Sequence, residues 1–142
     1  MTISTYEGGT LETKESGRVV VFSPSIWEPQ MGYSRGVRQG NHVYVAGTVA
    51  TDGDGAVQGE GAYEQTQFIL SKIEATLLQL GSCLEDVVST TTHLRDFLHF
   101  DAYSEAFKSR FAEITPVNTT IRAELVKREL LVEISAIAIV GG

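Results

Sequence analysis

Apolar and polar positions along the chain alternate with two different periods, and the change from one to the other marks out the elements. From Leu131 onward every even position through Val140 is apolar: Val132, Ile134, Ala136, Ala138 and Val140. The odd positions carry Glu133 and Ser135. That is a strand with one core face, preceded by a second extended run from Pro116 and a charged connection at Lys127–Glu129. Tyr63 to Leu80 has helical spacing, with Phe68, Ile69, Ile73, Thr76, Leu77 and Leu80 on one stripe and Gly81 placed as a left-handed cap. Val37 to Val49 reads as a hairpin turning at Gly40-Asn41, with Val43, Val45 and Val49 on one parity. Asp86 to Arg95 is a β-branched strand, and Asp101 to Ala112 a second helix presenting Tyr103, Ala106, Phe107 and Phe111. Before these lie a short run at Val19–Phe22 and a segment whose Pro24 and Pro29 predict extended, irregular backbone. A Gly8-Gly9 turn signal suggests a small hairpin in the first 18 residues.

Strands interleaved with two helices define an α+β class, a mixed sheet with the helices on one face. The uncovered parity then collects Tyr44, Ala46 and Thr48; Ser89, Thr91 and His93; Asn118, Thr120 and Arg122; and Glu133, Ser135, Ile137 and Ile139. A solvated sheet face carries more Lys and Glu than this. The expectation is therefore a face that packs against copies of itself, with polar clefts where the copies meet.

Charge narrows the partners. With 18 acidic against 11 basic residues the formal charge is −7, which argues against nucleic acid as a ligand, since phosphate neutralisation supplies most of that affinity. Cys83 has no cysteine partner, no stretch is long enough to span a membrane, and the first residues lack a leader pattern, so a cytoplasmic protein is expected. The length of 142 residues fits one domain over 1–142, with 1–31 as an extension and 32–140 as its core.

Several motifs fail in context. Gly32-Tyr33-Ser34-Arg35-Gly36 has the hydrolase elbow spacing but lacks the strand before and helix after it that the elbow needs. Asp52-Gly53-Asp54-Gly55 lacks the closing Glu of a calcium loop, and with Gly59 and Gly61 reads as a mobile glycine-rich loop. His42, His93 and His99 are not at ligand spacing, so neither a metal nor a cofactor is expected. Cys83 reads as a small buried side chain. Glu133 stands out as a carboxylate flanked by Val132 and Ile134, with uncharged neighbours on its own parity. That is the pattern either of a strand-end surface charge or, as its uncharged neighbours favour, of a placed acid–base group. His93 is a candidate for lining the same cleft or for an interface hydrogen bond.

The strings GYSRGVRQGNHVYVAGTVATDGDG, EDVVSTTTHLRDF and VEISAIAIV, with the helix between the first two, resemble the YjgF-type Rid family, the reactive-intermediate deaminases. The resemblance spans about Gly32 to Val140. It implies a chorismate-mutase-like fold of the bacillus type, a homotrimer around a central barrel, and a small-molecule cleft at each subunit interface. It further implies hydrolysis of a small imine or enamine with release of ammonia, without cofactor. The alternatives it leaves are a non-catalytic metabolite-binding trimer and, disfavoured by the charge, RNA cleavage or translation inhibition. By the same resemblance Glu133 positions the attacking water, while Tyr33, Ala46, Gly47 and Asn118 stand at substrate-contacting positions; Thr120, Arg122 and His93 join them as candidate contacts from their place on the open parity. Ala46 stands where Ser is common, and Asn118 where deaminases of this type carry Arg. A guanidinium grips a carboxylate through two charge-assisted bonds that an amide cannot reproduce. The exchange is expected to cost about 1.5–3 kcal/mol in carboxylate binding.

Overall fold

The computed structural model describes residues 2–6 and 9–141, and its strands form one eight-stranded mixed sheet. In chain order the elements are β1 (Thr2–Tyr6), β2 (Gly9–Thr13), β3 (Val19–Phe22), α1 (Trp27–Met31), β4 (Gly36–Gln39), β5 (His42–Val49), α2 (Ala62–Gln79), β6 (Val87–Leu94), α3 (Phe100–Phe111), β7 (Val117–Arg122) and β8 (Val132–Ile139). Their order across the sheet is β1-β2-β3-β4-β5-β8-β6-β7. All pairings are antiparallel except β6 with β7. The N-terminal hairpin closes at Tyr6 opposite Gly9; Gly8 of its turn signal lies outside the described residues.

Helices α2 and α3 cover one face. Ile69, Leu70, Ile73 and Leu77 of α2 are fully buried against Val43 and Val45 of β5 and Val132, Ile134, Ala136 and Ala138 of β8. The α2 stripe therefore packs as its 3.6-residue period demands. It ends in a left-handed turn at Gly81, φ 76°, where the Ser82 amide donates to the Leu77 carbonyl at 2.8 Å and that of Gly81 to Leu78 at 3.1 Å.

Four expectations are corrected. The segment between Pro24 and Gly32 is not extended throughout, because Trp27–Met31 forms the short helix α1. Pro29 is its third residue, where an amide hydrogen has no intrahelical acceptor and its loss costs nothing. Val49 does not share the parity of Val43 and Val45: the β5–β8 register shifts between Val45 and Thr48, so two residues, Ala46 and Gly47, fill the space of one. This bulge turns Thr48 into the helix-covered face, where it is fully buried, and Val49 to the other.

The third correction concerns β7. It does not lie beside β8, since β6 runs between them. Thr90 stands opposite Asn118, Thr92 opposite Thr120 and Leu94 opposite Arg122. Residues paired across a ladder point to the same side, and Thr90, Thr92 and Leu94 are buried under the helices. Asn118, Thr120 and Arg122 thus belong to the helix-side face, not to the open face of Glu133. Finally, Cys83 is half-buried, and a hydrogen bond to Glu85 leads the effects that raise its thiol pKa.

Candidate functional site

The bulge builds the place where Glu133 sits. With Ala46 and Gly47 occupying one register position, the backbone of β5 comes close under the Glu133 side chain of β8. A Cβ at Gly47 would fall on the Glu133 carboxylate, so any other residue there would push the carboxylate aside. Glu133 is half-buried on the open face, with Val49 opposite on β5 and His93 opposite on β6.

A buried ionic cluster supports the bulge from behind. Arg35, 8% exposed, donates through Nη1 to the Gly47 carbonyl at 3.0 Å and to Thr48 Oγ1 at 3.4 Å. Its Nε lies 3.4 Å from Glu28 Oε2, and Glu28 is fully buried. The Glu28 carboxylate also accepts from the Ser23 amide at 2.8 Å and from the Ser23 hydroxyl, which folds the α1 segment back onto β3. The Arg35 guanidinium further lies 5.8 Å from the Tyr33 ring centroid. On the helix side, Lys72 of α2 donates to the carbonyls of Val49 at 2.7 Å and Thr51 at 2.8 Å. Burial first and the Arg35 charge second push the Lys72 ammonium well below the ordinary lysine range, to about 8, against an upward pull from Glu28 and Asp52.

The Lys72 shift fixes a pH dependence of stability. The folded chain gives up this proton near pH 8, the unfolded chain near its ordinary value of 10.5. Between the two the unfolded state holds more protons, so stability rises with pH through that window. Compared with Lys72→Met, the native chain is expected to gain about 1–2 kcal/mol between pH 8 and 10, below the full linkage value because the side chain is only half-buried. Urea melts of both proteins across that range measure it.

The other predicted positions fall into two further groups. Tyr33 and Ala46 share a cleft of about 880 Å³ on the open side of β3–β5, with Tyr44, Ser34, Lys14 and Arg18. Asn118 and Thr120 meet on the helix side: Asn118 Nδ2 donates to Thr90 Oγ1 at 2.9 Å and to the Tyr103 hydroxyl at 3.3 Å. Its Oδ1 accepts from Thr120 Oγ1 at 2.6 Å. Both ends of this amide are engaged within the chain. Arg122 ends β7, exposed, and the ion pairs among the described residues join other partners: Lys14–Glu12, Arg35–Glu28 and Arg110–Glu74. Ser34, central to the elbow-like string, donates to the Gly36 carbonyl at 3.2 Å and leads into a strand.

Glu28, Arg35 and Lys72 were not singled out in the sequence. The one available signal is a charged residue set among apolar and proline neighbours, Trp27-Glu28-Pro29, which surface segments share.

A mixed sheet covered on one face by two long helices, with a carboxylate housed at a strand bulge on the other, is the class of α+β protein this geometry defines. A family model described as Endoribonuclease L-PSP matches residues 25–140. The chain is 30% identical over 120 residues to a RutC family protein of Pyrococcus abyssi, covering 84% of this chain and 94% of that one. It is 31% identical to a RutC family protein of Saccharolobus solfataricus over 84% and 95% of the two chains. The fold superimposes on a crystal structure of a Mycobacterium tuberculosis member of the YjgF/YER057c/UK114 family with a TM-score of 0.80 and 37% identity, over 87% of this chain and 99% of that one. The chain belongs to this Endoribonuclease L-PSP family, the group of the YjgF and RutC proteins.

Proposed function

We propose that the protein is a cofactor-independent deaminase that hydrolyses a small imine or enamine, with clefts at the interfaces of a homotrimer. The observation that carries this reading is the seating of the Glu133 carboxylate over Gly47, half-buried on the open face between Val49 and His93. A carboxylate so placed can take a proton from water as that water attacks an electrophilic carbon. Oligomerisation is supported by the same face, which leaves Tyr44, Val117, Ile121 and Ile139 exposed at 46%, 68%, 45% and 37%. Two copies would bring Glu133 of one to face residues of another.

Asn118 turns to the helix side, away from the Glu133 face, and leaves that face without a carboxylate clamp, which favours uncharged substrates. Its amide is already shared among Thr90, Tyr103 and Thr120, so it supplies neither a charge nor a free pair of donors for a carboxylate. The test is ammonia release from freshly generated 2-aminoacrylate and from a panel of uncharged imines, with Glu133→Gln measured beside the native protein. Turnover of the uncharged compounds that falls at least about 100-fold in the variant supports the reading. Absence of ammonia from every compound overturns it in favour of a metabolite-binding trimer, which saturable binding without product would establish.

A further inference from the structure

His93 and Glu133 stand directly opposite each other on β6 and β8. Directly opposed residues of an antiparallel pair bring their Cβ atoms to about 4.5–5.5 Å and their side chains to the same side of the sheet. Both are half-buried within the chain. Among the described residues, the strand positions beside His93 carry no other carboxylate. On β7 the residue opposite His93 is Ile121, and Thr119 lies one step away on that face, while Arg122 turns to the helix side. On β8 the next residues of this face are Leu131 and Ser135, and on β5 Val49 flanks Glu133. On β6 itself the neighbours are Thr91 and Arg95. The Arg95 guanidinium is occupied by the carbonyls of Leu125, Lys127 and Leu130, at 3.3, 2.6 and 2.7 Å. The two side chains thus leave the same face from directly opposed positions, the Glu133 carboxylate leaning over Gly47 of β5 and His93 standing on the other flank of β8.

We infer that His93 and Glu133 act as a proton-transfer pair, Glu133 as base toward water and His93 as acid toward the imine nitrogen; the inference rests on the deaminase reading of Glu133 given above. Hydrolysis of an imine needs both roles. In the first step Glu133 removes a proton from water as the bond between the water oxygen and the imine carbon forms. The π electrons of the carbon–nitrogen double bond pass to nitrogen, which takes a proton from the His93 imidazolium, leaving a neutral carbinolamine with one hydroxyl and one amino group on the same carbon. In the second step the protonated Glu133 returns its proton to nitrogen and neutral His93 accepts the hydroxyl proton. The carbon–nitrogen bond then breaks, giving the carbonyl compound and ammonia with both side chains restored. An imidazole suits the second role because its ordinary titration lies within the physiological range, so one side chain can donate in one step and accept in the next.

The test compares native protein, His93→Gln, His93→Phe and Glu133→Gln in two measurements. The first is the pH profile of kcat/KM for ammonia release from an uncharged imine. Both His93 variants are expected to lose about 100-fold or more, and to lose the alkaline limb that marks a group required in its protonated form. Unchanged melting temperature and oligomeric state separate this from a packing defect. Native-like rates with an unchanged profile in either variant overturn the inference. The second measurement is an NMR titration of the His93 ring in native protein and Glu133→Gln, which needs no turnover. A titration curve that changes when the carboxylate is removed is the expected result, and superimposable curves overturn the pair. Should the native protein release no ammonia from any compound, the deaminase reading fails on its own, and the NMR curves still decide whether the two groups share a proton.

Discussion

Glu28→Gln is expected to cost about 3–5 kcal/mol of folding stability, the range for removing one partner of a buried ion pair. The size follows from what the carboxylate is holding. Glu28 is fully buried, accepts from Ser23 and neutralises Arg35, which is itself buried and reaches on to the Gly47 carbonyl. Without that negative charge, Arg35 and the neighbouring Lys72 become two cations sharing a low-dielectric space, and the Lys72 proton is driven off at still lower pH. A domain of this size commonly has only about 5–15 kcal/mol in hand, so urea midpoints should fall steeply. Combining Glu28→Gln with Arg35→Met removes the uncompensated charge as well as the pair. The double variant is therefore expected to lose less than the two single losses summed. Strict additivity in that cycle would show that the two side chains do not act as a unit.

Gly47→Ala is expected to act on the site more than on the fold. The added methyl occupies the position of the Glu133 carboxylate, so the carboxylate must swing away by about the length of a bond. Displacements near 1 Å in a reacting group cost on the order of 100-fold in rate. A loss of that size in ammonia release is the prediction, with a stability change of about 1–3 kcal/mol from overcrowding. The control is Gly47→Ala together with Glu133→Ala, in which the methyl meets no carboxylate and the fold should recover. If Gly47→Ala keeps the native rate, the carboxylate does not work from where the bulge holds it.

The sequence shows what periodicity can encode and where it stops. Helix α2 and its glycine cap, the β4–β5 hairpin and the core parity of β8 follow directly from local spacing, and each lies within a residue or two of the reading. The faces of β5 and β7 do not follow, because each depends on another strand. A bulge leaves no mark in the β5 string beyond one glycine, yet it moves Thr48 from the open face to the core. Likewise nothing in Pro116–Val140 announces that β6, from earlier in the chain, will separate its two runs. Continuous alternation tells which residues share a side, not which side. Glu133 stood out because an isolated carboxylate in an apolar strand is costly to bury. Arg35 and Glu28 did not, since burial of a charge is decided by partners that only the fold assembles.

The place of β8 carries a consequence for how the chain acquires its structure. The last of these strands to be synthesised sits between β5 and β6, in the interior of the sheet. Until residues 132–139 have left the ribosome, no partial chain can close the sheet, and the edges of β5 and β6 remain unpaired. Completion of the sheet must therefore wait until β8 has emerged, and every ribosome stalled short of Val132 holds the edges of β5 and β6 open to other chains. Strands β1 to β5 pair in chain order, but β6 and β7 join them only through β8, which makes β8 the step on which closure of the sheet turns.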